Sequence, residues 1–239
     1  MQRIGKLYFR YGTMGSAKTA LLLTNAYNFE ERGIAYLCFK PVTDTREAKN
    51  VIRSRIGIER ECKWIYPDTD LFDTITRMNE SGGMLPGWML VDEAQFLTAS
   101  QVDQLAKVVD EYGCNVICYG LRTDFCSSLF EGSRRLFEIA DSIEEVKSTC
   151  TCGRKTIVNA RIDGNGRIVT EGEQVEIGGN DRYIALCRKC WMWGIGAEWT
   201  ESPVKWWRFK LSGRVEITRN MGPPLFPPPS ISKGNQRWH

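Results

Sequence analysis

Histidine is almost missing from this 239-residue chain: the one copy is His239, the last residue. A Ser-His-Asp triad, a Cys-His nucleophile pair and an H-E-x-x-H zinc site all need internal histidine, so those chemistries are excluded. A surplus of one charge is missing too. Lys and Arg number 32 against 29 Asp and Glu, a net +3, which gives no global argument for nucleic acid or an anionic membrane as partner. The opening M-Q-R-I-G-K-L-Y-F-R breaks its apolar positions with charge. It reads as neither a signal peptide nor a membrane span, and the expected address is cytoplasmic.

What is present suffices for a large core. Apolar side chains make up 42% of the chain, enough for one ordinary domain and a smaller appendage. The nine cysteines are unevenly spread. Cys38, Cys114 and Cys118 sit in or beside apolar runs and read as small buried hydrophobes, while Cys62 and Cys126 lie in polar surroundings. Cys150, Cys152, Cys187 and Cys190 form two close pairs, which in a reducing compartment favours metal over disulfides.

Up to about residue 146, short apolar runs alternate with longer amphipathic ones, the pattern of a parallel sheet flanked by helices. Strands are expected at 6–11, 35–39, 88–92 and 115–119; helices are expected at 19–32 and 100–112, the latter with Ser100 as N-cap. Residues 147–198 change to paired cysteines around a Gly-rich polar middle and read as a small metal-stapled subdomain. Residues 199–239 carry Trp199, Trp206, Trp207 and P-P-L-F-P-P-P, an extended C-terminal extension. The expected fold class is α/β, with a central, mostly parallel sheet plus a small metal-stapled subdomain.

Three constellations carry chemistry. The first is Y-G-T-M-G-S-A-K-T-A at 11–20. It follows the pattern G-x-x-x-x-G-K-[ST] through Gly12, Thr13, Met14, Gly15, Ser16, Lys18 and Thr19, but Ala17 stands where the second glycine belongs. Such a loop turns backbone N–H groups toward phosphate at a helix N-terminus, with a lysine for the β and γ phosphates and a hydroxyl for Mg²⁺. The methyl of Ala17 costs fit only if that position demands positive φ or very close contact. Alone, the pattern is weak and also fits a plain strand-to-helix turn.

The second is W-M-L-V-D-E-A-Q-F-L at 88–97. A buried parallel strand ending in Asp92-Glu93 delivers acids to the sheet edge where a phosphate loop opens. Asp92 is then placed for Mg²⁺ together with Thr19, and Glu93 for a base; Ala94 and Gln95 continue this phosphate-side segment. The third is the cysteine quartet. Four sulfurs with no histidine suit a closed, tetrahedral, structural zinc site, although C-x-C is tighter than the commoner C-x-x-C. The 34 residues between the pairs include I-G-G-N-D-R-Y at 177–183, a segment able to close over a substrate.

Taken together, the phosphate loop, K-P-x-x-D-T-R, V-D-E-A-Q-F-L, Y-G-L-R-T-D-F, the C-x-C pair, I-G-G-N-D-R-Y and C-R-K-C resemble the type II thymidine kinases of bacteria and animal cytosol. The resemblance spans roughly residues 5–192 and implies an α/β fold with a P-loop, RecA-like domain plus a small zinc-ribbon or lasso subdomain. It implies transfer of the ATP γ-phosphate to the 5′-hydroxyl of thymidine, with deoxyuridine as a further candidate acceptor. It also implies magnesium at Thr19 and Asp92, Glu93 as base, and Asp44 and Arg46 near the sugar and phosphates. Phe96, Leu121, Phe125 and Tyr183 would pack the thymine ring, and Ile177, Gly178 and Gly179 would belong to the lasso that grips the base. A homotetramer and feedback inhibition by thymidine triphosphate follow from the same resemblance; neither nucleic acid nor membrane is an expected partner.

The sequence departs from the family at Ala17, at Cys126 where an arginine is frequent, and in the length beyond the last cysteine pair. Two other readings stay open on residues alone: a P-loop ATPase of another kind, and a non-catalytic relative whose W-W-R-F-K segment makes a binding module.

Overall fold

The computed structural model describes residues 4–42, 50–81, 85–163, 167–172, 174 and 183–194. Asp44, Arg46, Ile177, Gly178, Gly179 and the extension from 199 therefore lie outside the described residues. The first strand, β1 (Leu7–Tyr11), runs through the phosphate-loop segment into α1 (Lys18–Glu31) and β2 (Tyr36–Pro41). A small ribbon of β3 (Val51–Arg53) and β4 (Glu59–Glu61) precedes β5 (Lys63–Ile65) and α2 (Leu71–Glu80). Then come β6 (Trp88–Val91), a 3₁₀ turn at Ala94–Phe96, α3 (Ala99–Tyr112), β7 (Asn115–Gly120), α4 (Glu131–Ile139) and β8 (Ser142–Glu145).

Six strands form one sheet in the order β5-β2-β6-β7-β1-β8, and every pairing in it is parallel. Alternation along the strands feeds two cores. Leu7, Phe9, Phe39, Met89, Val91, Val116 and Cys118 meet Leu71 and Ile75 of α2, Val102 and Leu105 of α3 and Leu136 of α4 on one face. On the other, Cys38, Leu90, Ile117 and Tyr119 meet Leu22, Leu23 and Ala26 of α1. Helices on both faces are what strands buried on both sides require. Cys62 is buried beside Cys38 as well, and burial pushes the thiols of Cys38 and Cys114 up to about 12.

All four expected strands form, within a residue or two of their expected ends. The two edge strands, β5 and β8, have one sheet neighbour each and carry too little apolar character for a sequence pattern; Ile143 of β8 is exposed. Ser100 does not cap α3. The cap is Thr98, whose Oγ1 accepts the Gln101 N–H at 3.1 Å while Gln101 Oε1 accepts the Thr98 N–H at 3.1 Å. T-A-S-Q supplies a reciprocal capping box that Ser100, two residues inside, does not.

A second sheet is antiparallel, in the order β10-β9-β11, from β9 (Val158–Ile162), β10 (Ile168–Val169) and β11 (Tyr183–Leu186); a short helix, α5 (Arg188–Gly194), follows. Ala160, Ile168 and Leu186 pack with Cys150, Cys187 and Cys190 into its core. Among the described residues no helix is long and apolar enough to cross a membrane.

The capping assignment has a direct check. Thr98→Ala should lower the unfolding free energy by about 1 kcal/mol, and Ser100→Ala by a few tenths at most, in urea denaturation. Equal losses would contradict the Thr98 cap.

Candidate active site

Because β6, β7 and β1 are adjacent and parallel, their carboxyl ends bring Asp92-Glu93, Gly120-Leu121 and Gly12 to one edge. Ligand-binding crevices form at the carboxyl ends of parallel strands. Gly12 donates its N–H to the Gly120 carbonyl at 3.2 Å, and Asp92 donates to the Phe39 carbonyl at 2.9 Å, so both segments leave the sheet in register. No side chain fits at Gly12: a Cβ there would collide with the Val146 carbonyl and the Ser16 hydroxyl.

The loop reverses through left-handed backbone at Gly15, φ 73°, and again at Ala17, φ 64° and ψ 21°. Position 17 thus demands positive φ, the condition under which alanine is costly, by roughly 1–2 kcal/mol relative to ordinary backbone. Ala17 also begins α1 with no side-chain cap, which leaves the helix N-terminus open to an anion.

Lys18 is buried, and its Nζ donates to the Thr13 carbonyl at 2.8 Å and the Gly12 carbonyl at 3.3 Å. Burial lowers its pKa, against the raising influence of Glu93 and Asp92. Thr19 Oγ1 donates to both Asp92 oxygens, at 3.1 and 3.3 Å. Asp92 is pushed up to about 7, first by burial and then by the charge of Glu93, with the Thr19 hydroxyl pulling the other way. Two crowded carboxylates beside a hydroxyl form an oxygen donor set that a hard divalent cation would relieve of its repulsion.

Glu93 sits in left-handed backbone, φ 50° and ψ 37°. For a non-glycine residue that geometry is strained, and such strain clusters at functional sites. Gln95 is buried and paired within the protein: its Nε2 donates to Glu93 Oε2 at 2.6 Å, and its Oε1 accepts the Leu121 N–H at 2.9 Å. One amide thereby ties the Glu93 carboxylate to the end of β7.

The aromatic candidates are distributed around these segments. Phe96 meets Phe130 edge-on at 5.6 Å. The Leu121 carbonyl accepts from Ser133 Oγ at 2.6 Å. Phe125 is buried, with the Arg161 guanidinium 3.8 Å from its ring centroid, and Tyr183 on β11 pairs directly with Arg161 on β9. Cys126 donates its thiol to the Thr170 carbonyl at 3.2 Å.

The four subdomain cysteines converge. Their sulfurs all lie within 4.8 Å of one another, with Cys152 and Cys187 at 3.5 Å. Four thiolates at about 2.3 Å around a tetrahedral zinc would stand about 3.8 Å apart, so the donor set fits. Burial raises the Cys187 thiol, but the Cys190 N–H and the neighbouring thiols outweigh it and bring Cys187 down to about 7; Cys190 is pushed up, first by burial. A shared proton inventory of this kind is what metal binding displaces.

Comparison with known proteins agrees with this geometry. The sequence model of the family described as thymidine kinase matches residues 5–191. The chain belongs to the thymidine kinase family. The thymidine kinase of Rhizobium meliloti (strain 1021) is 45% identical over 188 residues, 79% of this chain and 96% of that protein. That of Coxiella burnetii (strain RSA 493 / Nine Mile phase I) is 46% identical over 187 residues, 78% and 94% of the two chains. That of Vibrio cholerae serotype O1 is 42% identical over 193 residues, 81% and 100%.

For this thymidine kinase family member, sequence reasoning passed over two buried polar residues that touch the loop after β1: Thr156, whose Oγ1 lies 2.7 Å from Thr13 Oγ1, and Asn159, whose Oδ1 accepts the Met14 N–H at 2.7 Å. Both come from the stretch between the two cysteine pairs. The available signal was polar residues alternating with apolar ones in T-I-V-N-A-R-I, a pattern that equally fits a half-solvated strand.

The left-handed position yields a prediction. Ala17→Gly should raise the unfolding free energy by up to about 1 kcal/mol, part of the strain relief being offset by glycine's greater freedom in the unfolded chain. A destabilised Ala17→Gly protein in denaturant titration would contradict strain at this position.

Proposed function

We propose that this protein is an ATP-dependent thymidine kinase that moves the γ-phosphate of ATP to the 5′-hydroxyl of thymidine. The observation that carries the reading is the convergence of Lys18 and Thr19, on the loop after β1, with Asp92 and Glu93, on the segment after β6. Family membership supports the same reaction. Phosphoryl transfer leaves the protein chiefly positioning and charge stabilisation, which is what these residues can supply.

In this reading the N–H groups at the start of α1 and the residues from Gly12 to Thr19 cradle the phosphates. Lys18 exchanges the Thr13 and Gly12 carbonyls for phosphate oxygens. Thr19 and Asp92 are the residues that would hold magnesium, whose chemistry there is to offset charge on the transferring group. Glu93, oriented by Gln95, takes the proton of the acceptor hydroxyl. Ala94 lies in the same segment, and Asp44 and Arg46 would serve the sugar and phosphates. Phe96, Leu121, Phe125, Tyr183 and the 177–179 segment would enclose the base and keep water from the reaction.

The four-cysteine cluster would carry structural zinc, with no ligand position left for chemistry. The functional division proposed is 1–146 for ATP binding and chemistry, 147–198 for the stapled lasso and 199–239 as an appended extension. A cytoplasmic homotetramer inhibited by thymidine triphosphate completes the proposal.

The purified protein with Mg-ATP and thymidine should yield thymidine monophosphate; no product from folded, metal-loaded protein would overturn the reading. Glu93→Gln should keep Mg-ATP binding and lose roughly 10²-fold or more in turnover. Near-normal turnover would remove Glu93 from the role of base. Cys187→Ser should lose bound zinc by atomic absorption and weaken thymidine binding, and unchanged metal content would contradict the staple.

A further inference from the structure

Strand β9 reads V-N-A-R-I, and all five residues are buried although the strand belongs to the small sheet. A strand turns alternate residues to opposite sides. Ala160 faces the cysteine cluster. Asn159, one position earlier, is buried on the opposite side, and its amide spans two segments there. Its Oδ1 accepts the Met14 N–H at 2.7 Å, and its Nδ2 donates to the Thr123 carbonyl at 3.1 Å. Each end of the amide meets a complementary backbone group, so its orientation is set by its partners.

Thr156 makes a second contact of the same kind. Its Oγ1 lies 2.7 Å from Thr13 Oγ1, a hydroxyl pair in which either oxygen can donate, and 3.2 Å from the Ser148 carbonyl. Thr13, Thr156 and Asn159 are all buried, where an unpaired polar atom would be costly. Two consecutive residues of the phosphate loop, Thr13 and Met14, are therefore held by the segment that leads into and forms β9.

The holding segment is itself tied to the cysteines. Cys150 donates its N–H to the Arg154 carbonyl at 2.7 Å, just before Thr156. Ile157 donates to the Leu186 carbonyl at 2.9 Å, and Val158 pairs with Leu186, the residue before Cys187. One side of the β9–β11 pair thus runs directly into Cys187, and the other follows the Cys150–Arg154 turn.

We propose that Thr156 and Asn159 are positioning residues for the phosphate loop, through which the cysteine-stapled subdomain sets nucleotide affinity. The inference rests on the reading that this loop binds ATP. The loop contains left-handed backbone at Gly15 and Ala17 and leads into a helix without a side-chain cap. Holding it from β9 moves the cost of ordering from the binding step into folding, and affinity rises accordingly. By linkage, bound nucleotide stabilises the subdomain by the same factor.

The test measures Mg-ADP binding to the full, zinc-loaded protein by calorimetry with no nucleoside present, so that a side chain acting only on the acceptor has no effect. Thr156→Val and Asn159→Ala should each raise Kd about three- to tenfold, and Thr156→Ser should restore affinity close to that of the parent. Thr156→Val is nearly isosteric and carries the test if Asn159→Ala does not fold. Cys187→Ser should weaken Mg-ADP binding in the parent and have a smaller effect in the Thr156→Val/Asn159→Ala background.

Kd values within twofold of the parent in the folded variants would overturn the inference, as would an equal effect of Cys187→Ser in both backgrounds. A parent that fails to bind Mg-ADP would remove the nucleotide reading, and the inference with it. A binding parent with unaffected variants removes the inference alone.

Discussion

Every functional relation in this protein depends on the parallel pairing of β6, β7 and β1. Parallel strands place all their carboxyl ends on one side, so three segments far apart in sequence emerge together: the phosphate loop, Asp92-Glu93 and Gly120-Leu121. The pairing also buries both faces, which is why helices cover each side and why the strand interiors are apolar almost throughout. A register slip of one residue in β6 would move the Asp92 carboxylate off the Thr19 hydroxyl and exchange its two core faces at once.

At that edge the protein concentrates features that are unfavourable elsewhere. Lys18 and Asp92 are buried with their charged forms disfavoured, and Ala17 and Glu93 hold left-handed backbone. Internal hydrogen bonds offset part of the cost: loop carbonyls on Lys18, Thr19 on Asp92 and Gln95 on Glu93. Such a site is poised for a ligand carrying several negative charges together with a divalent cation, and family membership agrees with that polarity.

The small sheet is built on a different rule, the two-residue period of a strand. On β9, Ala160 serves the cysteine core while Asn159 and Arg161 turn the other way, the first against the phosphate loop and the second against Phe125. The small sheet is thereby joined to the phosphate-loop segment through buried polar contacts as well as through the chain.

Residue patterns alone were enough for the α/β class, the four central strands, the helix after the phosphate loop, the cysteine quartet and the pairing of loop with carboxylates, because each is a local pattern of residue types at fixed spacing. It also made the family legible. Tertiary structure decided the rest. Edge strands β5 and β8 carry too little apolar character to be seen locally, and the α3 cap moved to Thr98 because a reciprocal box is stronger than a lone serine. Gln95 became an orienter of Glu93 only once β7 ended beside it. The meaning of Ala17 likewise depended on a backbone angle that no residue pattern states. Asn159 and Thr156 were invisible as site residues because their partners lie more than 30 positions away, and hydrogen bonds of that range exist only after the chain has packed.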